Sequence, residues 1–387
     1  MRIAIVHEWL VTYAGSERVL EVMLSLFPQA DLFCLLDVMP EPFREWLRDR
    51  RVQTSFLQAF PGVRHYYRKM LPLMPFAVEQ LDVSGYDVVI SNSHAVAKGV
   101  ITGPDQLHIC YCYTPMRYAW DFHHQYLSES DLGKSTSLLA RWMLHKCRVW
   151  DSRTANGVDH FVAVSHYIAR RIQKVYRRES TVIYPGVAVD KFLPCSERSD
   201  YYVTCSRLVP YKKINIIVKA FEKLPDRTLI VIGDGPQLSQ LKELAGPNVR
   251  VLGFQSHEVL CDCLQRARAF IFASEEDYGI APIEAQACGT PVLAYGRGGA
   301  SETVVDGVTG YHFDEQTPDA ICNAIERFEP TADHFSRSSI RKHALRFSED
   351  RFKREFGAFV ESKFDLHRRS ISETSFGSRD SEFEEAG

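Results

Sequence analysis

The sequence predicts an α/β protein of two Rossmann-like domains, each built on a parallel sheet. Its 387 residues exceed one ordinary core and fit two domains of roughly 180 residues. In both halves, short apolar runs rich in Val and Ile alternate with helical patterns. That is the signature of strands buried on both faces and joined by helices. Near 186–199 the alternation breaks in a stretch containing Gly186, Pro194 and a polar run ending at Ser199.

In the first half the expected strands are Ile3–Val6, Val88–Ser91, Ile109–Tyr113 and Phe161–Ser165. In the second they are Tyr202–Ser206, Leu229–Ile232, Val249–Leu252, Phe270–Ala273 and Val292–Ala294. The domain limits follow as 1–190 and 191–348. A helix over 349–364 should pack back on the body through Phe352, Phe356, Phe359 and Val360. The polar, Ser/Glu-rich residues 365–387 read as a disordered tail. Ligands of open α/β sheets sit at the carboxyl ends of the strands, so two facing sheets would form an interdomain cleft.

A net charge of −3 gives no global preference for polyanions. The ten cysteines include Cys110/Cys112 and Cys261/Cys263, C-x-C pairs without zinc spacing, and read as buried thiols in a reducing cytosol. The N-terminus reads as a first strand, without a signal-peptide apolar region. No apolar run approaches the roughly 18 residues that span a bilayer. The expected location is cytoplasmic.

The most informative segment is 274–284, Ser-Glu-Glu-Asp-Tyr-Gly-Ile-Ala-Pro-Ile-Glu. An apolar strand precedes it, a helix should start near Gly279, and Gly289 should end that helix. Pro282 suits the first helical turn. Glu276 then lies beside a helix N-terminus, with Glu284 one to two turns in. Helix N-termini attract phosphate, and carboxylates accept from neutral hydroxyls. A nucleotide-sugar carries both groups.

Arg207 and Lys212 follow the strand at 202–206, where a guanidinium and an ammonium can clamp a diphosphate and stabilise it as a leaving group. Gly233 and Gly235 close the strand at 229–232. Their turn either admits a base to the backbone or is purely structural, and it lacks the G-x-G-x-x-G spacing of a dinucleotide site. Gly298 and Gly299 lie in a Gly-rich loop whose amides can hold phosphate or sugar oxygens. In the first half, Gly15 opens a helix after the first strand, and His94 ends another strand with a ring able to contact a sugar. Arg117, Tyr118, Trp120 and Asp121 form an aromatic, polar cluster suited to a sugar pocket, with core packing as the rival reading. Residues 44–71 carry Arg44, Arg48, Arg50, Arg51, Arg64, Arg68 and Lys69 among aromatics. That composition suits an anionic membrane surface or a solvated basic face; no nucleic-acid module is recognisable. No D-x-D occurs, which argues against a metal-held diphosphate.

Together, over about residues 1–364, these motifs resemble the retaining glycosyltransferases of family 4, which have the GT-B fold. The markers are Glu276 and Glu284 with seven residues between them, Arg207 with Lys212, the run Ile183–Val187 with Asp190 and Phe192, and the loop at 296–299. Thr114–Tyr118 with Trp120 and Asp121 resembles the bacterial O-antigen mannosyltransferase subgroup. Two departures are Tyr278, where the family usually has Phe, and Tyr211-Lys212-Lys213 in place of Glu-Lys-Gly.

The resemblance implies an N-terminal acceptor domain and a C-terminal donor domain. It implies that Arg207 and Lys212 hold the diphosphate, Glu284 the ribose and Glu276 the donor sugar. Backbone amides near Gly279 and Ile280 would assist, Gly15 would line the donor pocket, and His94 would contact the sugar. It further implies metal-independent transfer of mannose from GDP-mannose to a lipid-linked glycan at the inner membrane face. Alternatives are a UDP-sugar transferase of the same fold, a nucleotide-sugar 2-epimerase and a non-catalytic nucleotide-sugar-binding protein.

Overall fold

The computed structural model describes residues 1–47, 50–121, 123–124, 127 and 134–380. They fall into two compact units, Met1–Ile183 with the residues from Lys353 onward, and Tyr184–Phe352.

In the first unit the strands are β1 (Ile3–His7), β2 (Asp31–Cys34), β3 (Val52–Thr54), β4 (Val88–Ser93), β5 (Leu107–Cys112), β6 (His160–Ala163) and β7 (Ser180–Val182). They form one sheet in the order β3-β2-β1-β4-β5-β6-β7, with every pairing parallel. β1, β4 and β5 are buried along their whole length, which is why they stand out as apolar runs. β2, β3 and β7 were not anticipated. β3 and β7 are three-residue, half-exposed edge strands, and β2 is four residues beginning with Asp31. None is long or apolar enough to signal itself. The helix Gly15–Leu26 buries Val19, Leu20 and Met23, a spacing that puts them on one face.

The second unit has β8 (Tyr201–Cys205), β9 (Thr228–Ile232), β10 (Val249–Gly253), β11 (Ala269–Phe272), β12 (Val292–Tyr295) and β13 (Gly310–Phe313). Their order is β10-β9-β8-β11-β12-β13, again all parallel. β13 was missed: its Gly and His interrupt the apolar signal. Gly310 is there because a Cβ would lie 1.8 Å from the carbonyl oxygen of Val292. Tyr202, Phe221, Ile271, Leu293 and Phe328 share one core.

Two sequence-derived boundaries move. The units divide after Ile183 rather than at 190, because Tyr184 and Pro185 pack within the second unit. The Tyr184 hydroxyl donates to Glu302 (3.0 Å), its ring stacks on Tyr278, and the Pro185 carbonyl accepts from the Tyr278 hydroxyl at 3.0 Å. The final helix runs Glu349–Asp380, not to 364. Phe352, Phe356 and Val360 are fully buried as expected, and Phe356 meets Phe27 and Tyr111. Phe364, His367 and Ile371 stay half-buried on the same stripe, and no Pro or Gly intervenes before Gly377. A helix nucleated by packing propagates through such a segment, so 365–380 is helical rather than disordered. Residues 381–387 of the expected tail lie outside the described residues.

Candidate functional site

In an open parallel sheet the loops at the carboxyl ends diverge where strand order reverses, and that crevice binds ligands. In the second unit the reversal lies between β8 and β11. Arg207 and Lys212 follow β8, and Glu276 follows β11, so one crevice collects all three. Lys212 Nζ lies 2.5 Å from Glu276 Oε1, which also accepts from Ser274 Oγ at 2.7 Å. Lys212 ends the short helix Pro210–Lys212, and Lys213 takes the left-handed conformation (φ 57°) before the helix Ile214–Glu222. The Arg207 side chain is exposed.

Gly279 caps the helix Ile280–Ala287 with φ 87°, a conformation that strains any side chain. Ile280 is its first residue, so the first-turn N–H groups here have no partner within the helix. Glu284 is buried in that helix. Its charge reaches Cys261 and Cys288, whose thiols are pushed up by burial first and by neighbouring negative groups including Glu284.

The glycine loops brace this site. A Cβ on Gly298 would lie 2.3 Å from the Glu276 carbonyl oxygen, and one on Gly299 would lie 2.3 Å from Tyr278 Cα. Gly299 N–H donates to that Glu276 carbonyl at 2.7 Å. Gly233 and Gly235 press on the Arg207 loop, where their Cβ atoms would meet the carbonyl oxygens of Ser206 at 1.8 Å and Leu208 at 2.5 Å. Gly233 N–H donates to Gly253 and Gly235 N–H to Asp234 Oδ1. These amides are engaged within the protein, and the three glycines brace the neighbouring loops.

The first sheet reverses between β1 and β4, and Gly15 and His94 sit there. A buried network unseen in the sequence surrounds them. His7 Nδ1 pairs with Asn92 Nδ2 at 3.1 Å and His7 Nε2 with Glu17 Oε1 at 3.4 Å. Glu17 Oε2 accepts from Ala14 N–H, and the Ser16 carbonyl accepts from Tyr113 O–H. Glu8, fully buried, accepts from Ser93 Oγ and from the N–H groups of residues 94–97. Burial raises its pKa, but the His94 charge and these backbone donors outweigh that and hold it below the usual value. The one sequence signal was a His-Glu pair directly after the apolar run Ile3–Val6.

Two members of the cluster at 117–121 have their polar groups engaged. Trp120 Nε1 donates to buried Asp151 (2.7 Å), and Asp121 pairs with Arg171. Arg117 and Tyr118 are half-buried, Tyr118 against the core. Trp120 is thus tied to the buried Asp151, while Asp121 is exposed and ion-paired. Of the basic stretch, Arg44 pairs with Asp37 and Arg50 bonds the Pro28 and Ala30 carbonyls. Arg51, Arg64, Arg68 and Lys69 are exposed, and Arg48 lies outside the described residues. Close by in sequence, Phe56, Phe60, Leu73 and Phe76 are exposed.

Two family models match end to end. "Glycosyltransferase Family 4" covers residues 29–191 and "Glycosyl transferases group 1" covers 190–344. The chain belongs to glycosyltransferase family 4. This family 4 member is 33% identical over 218 residues to a GDP-mannose-dependent alpha-(1-6)-phosphatidylinositol monomannoside mannosyltransferase of Mycolicibacterium smegmatis, covering 47% of this chain and 56% of that protein. It is 30% identical over 232 residues to a D-inositol 3-phosphate glycosyltransferase of Mycolicibacterium paratuberculosis, covering 52% of each. The chain thus spans about half the length of the curated relatives it matches. Among solved structures it matches Anabaena HepE in complex with UDP (TM-score 0.68, 17% identity, 94% of this chain and 100% of that one). It also matches sucrose-phosphate synthase from Thermosynechococcus elongatus (TM-score 0.71, 17% identity, 95% and 100%). At such identity these matches show the fold, GT-B. No described helix is long and apolar enough to cross a membrane.

Proposed function

We propose that the chain is a retaining glycosyltransferase that moves a mannosyl unit from GDP-mannose to a hydroxyl of a lipid-linked glycan acceptor, in O-antigen or exopolysaccharide synthesis. The observation that carries the transferase reading is the convergence of Arg207, Lys212 and Glu276 at the β8/β11 reversal, with Lys212 and Glu276 in contact. Cations at that point neutralise a departing diphosphate. The Glu276 carboxylate accepts from sugar hydroxyls, and buried Glu284 is suited to ribose hydroxyls. In the proposed step the bond from the sugar C1 to the phosphate oxygen breaks while a bond from C1 to the acceptor oxygen forms on the same face. The acceptor's proton passes to the departing phosphate, leaving nucleoside diphosphate and glycosylated acceptor. No metal is required in this scheme, because Arg207 and Lys212 carry the charge compensation.

Mannose as the unit transferred is supported by the resemblance of 114–121 to mannosyltransferases and by the likeness to the M. smegmatis enzyme, which is named for GDP-mannose. The UDP complex of Anabaena HepE keeps a UDP-sugar as the second reading. Membrane docking at the inner face is supported by Arg64, Arg68 and Lys69 beside exposed Phe56, Phe60 and Phe76. The outer face of the helix Lys134–Thr154 adds exposed Leu138, Leu139, Trp142 and Val149, with Lys146 over the Trp142 ring.

The test is nucleotide release from GDP-mannose and from UDP-sugars, with and without a lipid-linked acceptor extract and a chelator. The expected result is acceptor-dependent GDP release that survives chelation. Loss of one such charge contact costs roughly 10²–10³-fold in turnover, so Lys212→Ala and Glu276→Ala should fall by that order. Release from UDP-sugars alone would replace mannose, and abolition by the chelator would remove metal independence.

A further inference from the structure

We propose that Glu8 is the positioning residue for His94, holding its backbone and setting its charge environment from beneath the β1/β4 reversal. This rests on the reading of His94 as the donor-sugar contact. β1 and β4 are parallel neighbours in register, with His7 opposite Asn92. The ends of the two strands therefore meet, Glu8 after β1 and Ser93 with residues 94–97 at the end of β4.

Glu8 is fully buried, and an unpaired carboxylate there would be strongly unfavourable. Five donors surround it. Oε1 accepts from Ser93 Oγ at 3.1 Å and from the N–H groups of His94 (3.0 Å), Ala95 (2.7 Å) and Ala97 (3.1 Å); Oε2 accepts from Val96 N–H at 2.9 Å. Successive backbone N–H groups wrapped around one anion make a nest. Such a nest at a reversal point would ordinarily receive a ligand's phosphate. Here the chain fills it with its own side chain, so it serves to fix the loop.

The loop it fixes presents His94. The His94 N–H is itself one of the five donors, and the next residue, Trp9, meets the His94 ring edge-on with centroids 5.0 Å apart. One dipeptide, Glu8–Trp9, thus holds both backbone and ring. The charged or titratable groups facing His94 are Glu8, Glu17 and His7, and Tyr113 completes the ring contacts.

A double-mutant cycle separates this role from loop stability alone. Wild type, Glu8→Gln, His94→Ala and the double variant are compared for kcat and KM with the turned-over nucleotide-sugar, with urea midpoints confirming folding. Glu8→Gln should lower kcat by about 10- to 100-fold with KM within about threefold, since the nucleotide contacts proposed above lie in the other unit. In the His94→Ala background the same change should have almost no further effect. Additive losses, or wild-type kcat in Glu8→Gln, would overturn the proposal while leaving His94's role intact. Wild-type turnover by His94→Ala would overturn both.

Should Glu8→Gln not fold, Ser93→Ala removes a single donor from Oε1. It should lower kcat severalfold, again only when His94 is present. A readout independent of turnover is the titration of the His94 imidazole by NMR in the full chain. Removing the Glu8 charge should lower its midpoint while His108 is unmoved; an unchanged His94 midpoint would sink the proposal even in a protein that turns over no sugar.

Discussion

Two buried polar residues in this chain, Lys98 and His108, survive because partners surround their side chains. Lys98 Nζ contacts Asp151 Oδ1, the Asp151 carbonyl and Thr154 Oγ1, each at 2.8 Å, and lies over the Trp150 and Tyr176 rings. Asp151 also accepts from Trp120 and from the Tyr176 hydroxyl. His108 follows the same rule as a neutral ring: Nδ1 bonds the Gly157 carbonyl at 3.0 Å and Nε2 the Ser91 hydroxyl at 2.8 Å. Burial, helped by the Lys98 charge, pulls its pKa from 6.5 to about 4. The unfolded chain therefore takes up this proton first as pH falls, so the stability from neutral His108 is present above pH 6.5 and is lost between 6.5 and 4. The whole loss is roughly 3 kcal/mol, of which about 2 kcal/mol falls between pH 7 and pH 5. Urea unfolding of the first unit at the two pH values should show that drop, and His108→Gln should remove most of it. An equal drop in His108→Gln would assign the acid sensitivity elsewhere. Glu8, held below the usual carboxylate value, adds loss in the same direction at lower pH.

At the scale of elements, loops decide the site more than helices do. Gly279, the Pro282 helix and Gly289 were legible because turn and cap chemistry is local. The loop that braces them read in the sequence as glycine amides able to hold phosphate or sugar oxygens, not as a brace. Its purpose emerges from Gly299 lying against Tyr278 and bonding the Glu276 carbonyl. Gly299→Ala should thus destabilise the second unit by about 1–3 kcal/mol through overpacking, and displace Glu276 enough to depress sugar-nucleotide turnover. Gly307→Ala is the comparison: its φ is +74°, yet its Cβ would meet nothing within 4 Å, so it carries only a backbone cost of about 1 kcal/mol. Equal urea midpoints for the two would remove the contact argument. The final helix makes the complementary point. Its polar composition beyond Phe364 read as disorder, but Phe364, His367 and Ile371 continue the stripe begun by Phe352, Phe356 and Val360, and packing overrode composition.

Across the molecule, both sheets repeat one strand order, with the strand that comes first in sequence placed inside the sheet and the reversal beside it. Each reversal gathers chemistry-bearing residues: Gly15 with His94 in one unit, Arg207 with Lys212 and Glu276 in the other. The first unit also carries basic and aromatic exposure on the residues 56–76 and on the helix Lys134–Thr154. Cations near an anionic bilayer are worth about 1 kcal/mol each, so reversing Arg64, Arg68 and Lys69 together should weaken binding to anionic vesicles by more than about a hundredfold. Wild-type binding should fall as salt rises, and Trp142→Ala should weaken the salt-resistant part. Vesicle binding unchanged by the three reversals would remove the membrane from the proposed function.

The sequence by itself determined the α/β class, nine of the strands, the acidic segment with its helix, and the cations after β8. It could do so because burial on both faces, helix capping and turn glycines are written in neighbouring residues. Tertiary structure alone decided strand order, and with it which loops meet. Nothing local to Glu8 announces that residues 94–97 will surround it. Nothing near Trp120 or Asp121 announces that Asp151 and Arg171 already hold their polar groups. Such pairings join residues tens of positions apart, and only the folded sheet brings their ends together.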